Sequence, residues 1–243
     1  MRKFITLCAV VPMLLLGTAV PAEGQFGIRG GISLNDFFGD QVANTEQTRN
    51  LSYGISVGLI RIGSFQIMAE GYYRQKGAGW SALDALGAGG GPVALDSAQI
   101  AGMVNGADLS GQTLEFGLDY IEIPVLLRWN LPTFAGRLRP YLNGGPAFGW
   151  RVDCGVTVAL TAAPAGEEPE ADCQDLTSEN LQETLNDYEL GMVVGGGLDV
   201  GVLGGMGAIT LDFRLTRGLS RISEGQTGPE VRNQAFSAVL GYT

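Results

Sequence analysis

Three acids, Glu70, Glu122 and Asp212, stand at even spacings from Arg74, Arg128 and Arg214, so each acid shares one face of an extended chain with a base. Carboxylates brought together can act as a paired general acid and base. Carboxylates facing guanidinium groups are more often structural ion pairs, and that is the reading taken here. A second concentration lies in residues 153–187, where Asp153, Glu167, Glu168, Glu170, Asp172, Asp175, Glu179, Glu183 and Asp187 are nine acids with two cysteines among them. Calcium would suit such hard oxygen ligands, but no Asp-x-Asp-x-Asp-Gly spacing is present, which favours a solvated acidic loop. The glycine-rich run at 87–91 lacks the Lys-Ser/Thr ending of a phosphate cradle and reads as loop. Histidine is absent, which removes serine–histidine hydrolysis, His-ligated zinc and an imidazole pH switch. A net charge of −10 without a basic cluster argues against nucleic acid as a partner. No catalytic residue, cofactor or metal is expected.

The chain starts with a basic Met-Arg-Lys, an apolar run from Ile5 to Val20 and a small-x-small site at Ala22-Glu23-Gly24. This predicts a secretory signal peptide over residues 1–24, leaving 25–243 as the mature domain. Cys8 lies within the predicted signal. In an exported chain the remaining pair, Cys154 and Cys173, is expected to form a disulfide, worth roughly 3 kcal/mol for a loop of this length.

With 45% hydrophobic residues the chain has ample apolar surface, yet no mature segment is an uninterrupted spanning helix. Apolar and polar residues alternate instead. From Ile209 to Thr216 every odd position is apolar and every even one polar, and Ile121, Ile123, Val125, Leu127 and Trp129 share a face in the same way. On this pattern eight strands are expected near 26–34, 51–62, 65–76, 114–130, 137–152, 187–201, 207–219 and 232–242. The links at 62–65, 131–136 and 202–206 are short; those at 35–50, 77–113, 153–186 and 220–231 are long. A short helix over 176–185, capped by Ser178, is expected inside the third long loop. Strict alternation of short and long links places all tight turns on one rim of an antiparallel barrel, as in the outer membrane.

The two faces separate a membrane barrel from a soluble one. By parity the polar face carries Arg29, Glu70, Arg74, Lys76, Glu122, Arg128, Arg139, Arg151, Glu189, Asp199, Asp212 and Arg214, seven bases and five acids, with Tyr72, Tyr141 and Asn143. Opposite charges in such numbers can pair and fill a narrow lumen. On the apolar face Phe26, Phe65, Trp129 and Tyr242 lie near the short turns, and Tyr53, Tyr73, Trp150 and Tyr188 near the long loops, with aliphatic residues and glycine between. Two aromatic girdles are expected where membrane meets water.

These residues resemble the PorT-like outer-membrane β-barrel proteins, a family of barrels of the OmpX and OmpA kind. The most specific segments are Tyr120-Ile121-Glu122-Ile123-Pro124 and Pro140-Tyr141-Leu142-Asn143-Gly144-Gly145-Pro146; Phe26 to Leu34, Glu70 to Gly77 and Phe236 to Tyr242 add to the likeness. The resemblance implies an all-β, eight-stranded antiparallel up-and-down barrel with short periplasmic turns and long extracellular loops, in a Gram-negative outer membrane, and supplies no catalytic residues. The expected function is structural, adhesive or envelope-associated, with outer-membrane lipid as surroundings, a monomeric barrel, and an envelope or extracellular protein as a possible partner. Alternatives are a barrel that binds a small apolar ligand or assists secretion, and a water-soluble exported barrel.

Overall fold

The computed structural model describes residues 26–39, 45–81, 112–134, 136–159, 170–173, 185–202, 207–222 and 230–243. The expected signal peptide, the glycine-rich run and all but the last residue of the expected helix lie outside them; that residue, Leu185, forms an isolated β-bridge.

The chain is a meander of β1 (Phe26–Phe38), β2 (Glu46–Ile62), β3 (Phe65–Ser81), β4 (Thr113–Asn130), β5 (Leu138–Ala159), β6 (Glu170–Asp172), β7 (Tyr188–Gly201), β8 (Ala208–Gly218) and β9 (Arg232–Tyr242). Every pairing is antiparallel, and β1 meets β9 from Ile28↔Tyr242 to Phe38↔Arg232, closing eight strands into a barrel with no free edge. The small β6 lies outside that circuit, on the long-loop extension of β5. At the short rim, β2 and β3 are joined by a two-residue turn through Gly63 at φ 60°, a value that spares only glycine a steric cost.

Each expected strand is present, but β1, β2, β3 and β5 run several residues further toward the long loops than alternation suggests. In β5 the reason is a bulge. Asp119 faces Asp153 while Tyr120 faces Arg151, so Val152 is an extra residue and the inward parity of β5 changes from odd to even numbers. Beyond it Cys154, Val156 and Val158 are buried, against Leu114, Phe116 and Leu118 of β4.

The two sheet faces follow the same logic. Ile121, Ile123, Val125, Leu127 and Trp129 are exposed on the outer wall, whereas Glu122, Leu126, Arg128 and Asn130 of the same strand are buried inside. Such a wall is stable only against lipid. Run from Ile121 to Trp129, it has about the 9–11 residues a membrane strand requires.

Candidate functional site

The interior is built by inward side chains from all eight barrel strands, and its charges fall into three neutral layers. Nearest the short turns, Arg128 of β4 pairs with Asp199 of β7, whose other oxygen accepts the Thr210 hydroxyl at 2.9 Å. Arg128 also donates Nε to Asn130 at 2.9 Å, and its guanidinium carbon lies 3.5 Å from the centre of the Tyr141 ring. In the middle layer Glu70 accepts both terminal nitrogens of Arg214, Nη2 at 3.0 Å, in a two-pronged contact. Asp212 accepts Arg214 Nη2 at 2.6 Å and the Asn143 amide at 3.1 Å, and Arg29 approaches Glu70 at 3.3 Å and Asp212 at 3.6 Å. Nearer the long loops, Lys76 bridges Glu122 at 2.5 Å and Glu189 at 3.2 Å, while Arg74 lies 3.3 Å from Glu122. Asn233 donates to the second oxygen of Glu189 at 2.9 Å.

Five cations thus meet five carboxylates. The two remaining bases of the expected set are disposed of differently. Arg151 reaches Asp187 at 2.7 Å and the Leu185 carbonyl at 3.2 Å, at the mouth on the long-loop side. Arg139 corrects the expectation: although it faces Asp199 in register, it is exposed at the start of β5, and among the described residues it has no ion pair. Asp199 is taken by Arg128 of β4, one strand beyond β5, and Arg139 stays exposed at the rim.

Aromatic rings separate the layers. Arg74 lies 4.5 Å from the Tyr72 ring centre and Arg214 6.0 Å from the same ring, so Tyr72 stands between the middle and upper layers. The packing is close enough to require glycine in the wall. A Cβ at Gly197 would lie 2.5 Å from the Tyr141 hydroxyl, and one at Gly195 would lie 2.8 Å from Asn143 Oδ1 and 2.9 Å from Arg214 Cγ. Part of the glycine excess therefore makes room for long polar side chains.

Outside, Phe65 and Trp129 stack at 6.1 Å near the short turns, with Phe26 and Tyr242 also exposed. Tyr53 and Tyr73 stack at 5.2 Å near the long loops, and Trp150 meets Tyr188 edge-on at 6.1 Å. The wall between is not purely aliphatic, since Phe213 faces outward at the middle of β8, and Phe148 and Phe236 face outward too. Phenylalanine has no polar handle and tolerates the hydrocarbon interior.

Cys154 and Cys173 are joined by a disulfide, with Cα atoms 5.5 Å apart, and Cys173 N donates to the Cys154 carbonyl at 3.1 Å. The bridge pins β6 to β5. Sequence reading missed this buried apolar cap, in which Phe37 lies 6.3 Å from Phe116, as well as the neutral partners Asn130, Thr210 and Asn233. Parity along β8 and β9 was the available signal for Thr210 and Asn233; the parity change hid the inward face of 154–158.

Residues 22–224 match the family described as outer membrane protein β-barrel domain. No curated protein matches the chain. Among solved structures, the chain is similar to Neisserial surface protein A at 13% identity, over 90% of this chain and 97% of that one, with a TM-score of 0.42. OprG from Pseudomonas aeruginosa is 11% identical over 89% and 94%, with a TM-score of 0.43. Ail, the attachment invasion locus protein of Yersinia pestis, solved with the heparin analogue sucrose octasulfate, is 9% identical over 90% and 98%, at 0.38. At these identities and scores the structural likenesses carry no argument about function.

Proposed function

The chain belongs to the outer membrane protein β-barrel domain family and is a protein of the outer membrane, and we propose that within it this protein is a plugged, non-catalytic barrel whose long loops carry a structural or adhesive role. The observation that supports this most is the balance of the interior, five cations against five carboxylates, each within 4 Å of an opposite charge. Charges held this way neutralise one another and offer no lined path for a solute. Eight strands also enclose only enough space for side chains, whereas open aqueous channels need about 16. A general acid or base would need a free carboxylate beside a substrate cleft; these carboxylates spend their oxygens on guanidinium, ammonium and amide donors.

The proposal includes cleavage after residue 24, a monomeric barrel over 25–243 without cofactor or metal, and an envelope or extracellular protein met through the long loops. Placement among the PorT-like barrels is also part of it and rests on the Tyr120–Pro124 and Pro140–Pro146 segments. The deciding experiment is conductance of the pure, refolded protein in planar bilayers. Only brief, sub-solute currents are expected; steady porin-sized steps would overturn the plug and move the function toward transport.

A further inference from the structure

Where β2, β1 and β9 run side by side, the outer wall has two rows that differ from the rest. One row is Leu51, Ile32 and Ala238, and the next toward the long loops is Arg49, Leu34 and Phe236. The small Ala238 between larger neighbours leaves an apolar groove of about 380 Å³, with Arg49 at its long-loop end.

Arg49 is unlike the other cations around it. It is exposed, and among the described residues it has neither an ion pair nor a hydrogen bond. Arg221 and Arg232 on the same rim share Glu230. The nearby acid, Asp36, is already engaged, accepting the Phe37 amide at 2.8 Å and the Thr45 hydroxyl at 2.7 Å. Arg217, two residues beyond Leu215 of the same wall, rests with its guanidinium carbon 4.3 Å from the Phe38 ring centre and stays exposed. Two outward guanidinium groups therefore flank this sector at the edge of the apolar wall.

We infer that this groove is a site for a phosphate-bearing lipid of the leaflet on the long-loop side, one acyl chain lying over Ala238 and the phosphate resting on Arg49. The inference rests on the membrane embedding of the wall and goes beyond general immersion in lipid. An apolar groove alone would not select one lipid, because every lipid tail is as apolar as the groove. Selection comes from the charge at its end: a guanidinium fork matches phosphate oxygens in geometry and sign, and the contact strengthens where water is thin. Zwitterionic headgroups carry a compensating ammonium and gain less.

The test uses the full mature chain refolded in a neutral maltoside detergent and mixed with equal amounts of dimyristoylphosphatidylglycerol and dimyristoylphosphatidylcholine, which share chains and differ in headgroup. Native mass spectrometry reads the lipid retained. The expected preference for phosphatidylglycerol is about fivefold, the size expected of one arginine at an anionic headgroup. Arg49→Gln should bring the two lipids to parity, and Ala238→Phe, which fills the groove without touching the charge, should lower retention of both. Glycerol 3-phosphate at millimolar concentration should displace neither. Equal retention of the two lipids by the native protein overturns the site, as does an unchanged preference in Arg49→Gln. Displacement by glycerol 3-phosphate, or full retention in Ala238→Phe, leaves a bare anion contact and also overturns it. None of these outcomes bears on conductance, so this site and the plugged lumen fail separately.

Discussion

β4 carries opposite chemistry on the same parity at its two ends. Toward the long loops its inward residues are Leu114, Phe116 and Leu118, all buried, while Glu115 and Asp119 point outward. Toward the short turns its inward residues include Glu122, Arg128 and Asn130, while Ile121, Ile123, Val125, Leu127 and Trp129 point outward. The reversal falls at Asp119 and Tyr120, where the β4–β5 register shifts and where Tyr73, whose hydroxyl donates to Asp119, marks the girdle. The strand continues, but the solvent changes. Below that level the wall meets hydrocarbon and must hide its charges inside; above it the wall meets water and the ordinary rule of an apolar core returns. The membrane boundary is therefore written in the side chains.

The largest effect should come from unbalancing the charged half. Glu122→Leu leaves Arg74 without a carboxylate partner among the described residues and leaves Lys76 only Glu189. Removing one partner of a buried pair costs about 3–5 kcal/mol, read as a lowered urea midpoint for the barrel refolded in lipid vesicles. An unchanged midpoint would mean that the layers are hydrated and not a plug.

Next in size is a lysine placed on the outer wall at two heights. Ile123→Lys faces hydrocarbon and should cost about 2–4 kcal/mol. Thr157→Lys lies on the outer face of β5 above the reversal and should change stability by less than about 0.5 kcal/mol. Folding efficiency into vesicles measures both, and equal penalties would put the boundary elsewhere.

The smallest global effect belongs to the bridge. Cys173→Ala should cost the cap up to about 3 kcal/mol through release of a loop separated by 19 residues, with the membrane half unaffected. Hydrogen exchange should show lost protection at Val156 and Val158 but not at Ile123 or Leu127. A drop in the urea midpoint of the whole barrel would show that cap and membrane half unfold as one unit.

The sequence by itself determined the eight strands of the barrel and the two faces of their membrane half, because these depend on a period of two that is local to each strand. It also placed Cys154 and Cys173 together, since both lie in one loop of an exported chain. Three matters needed the closed barrel. The extension of β5 and the inward face of the apolar cap it carries were hidden because one extra residue at Val152 inverts the parity on which alternation depends. The partners inside were hidden because residues that meet in the lumen are distant in sequence, so nothing local told Arg128 to take Asp199 or left Arg139 exposed at the rim. The glycines of β7 were legible only as composition; their task of admitting Tyr141 and Arg214 depends on the strand register that sets those residues directly beside Gly197 and Gly195 on the neighbouring β5 and β8.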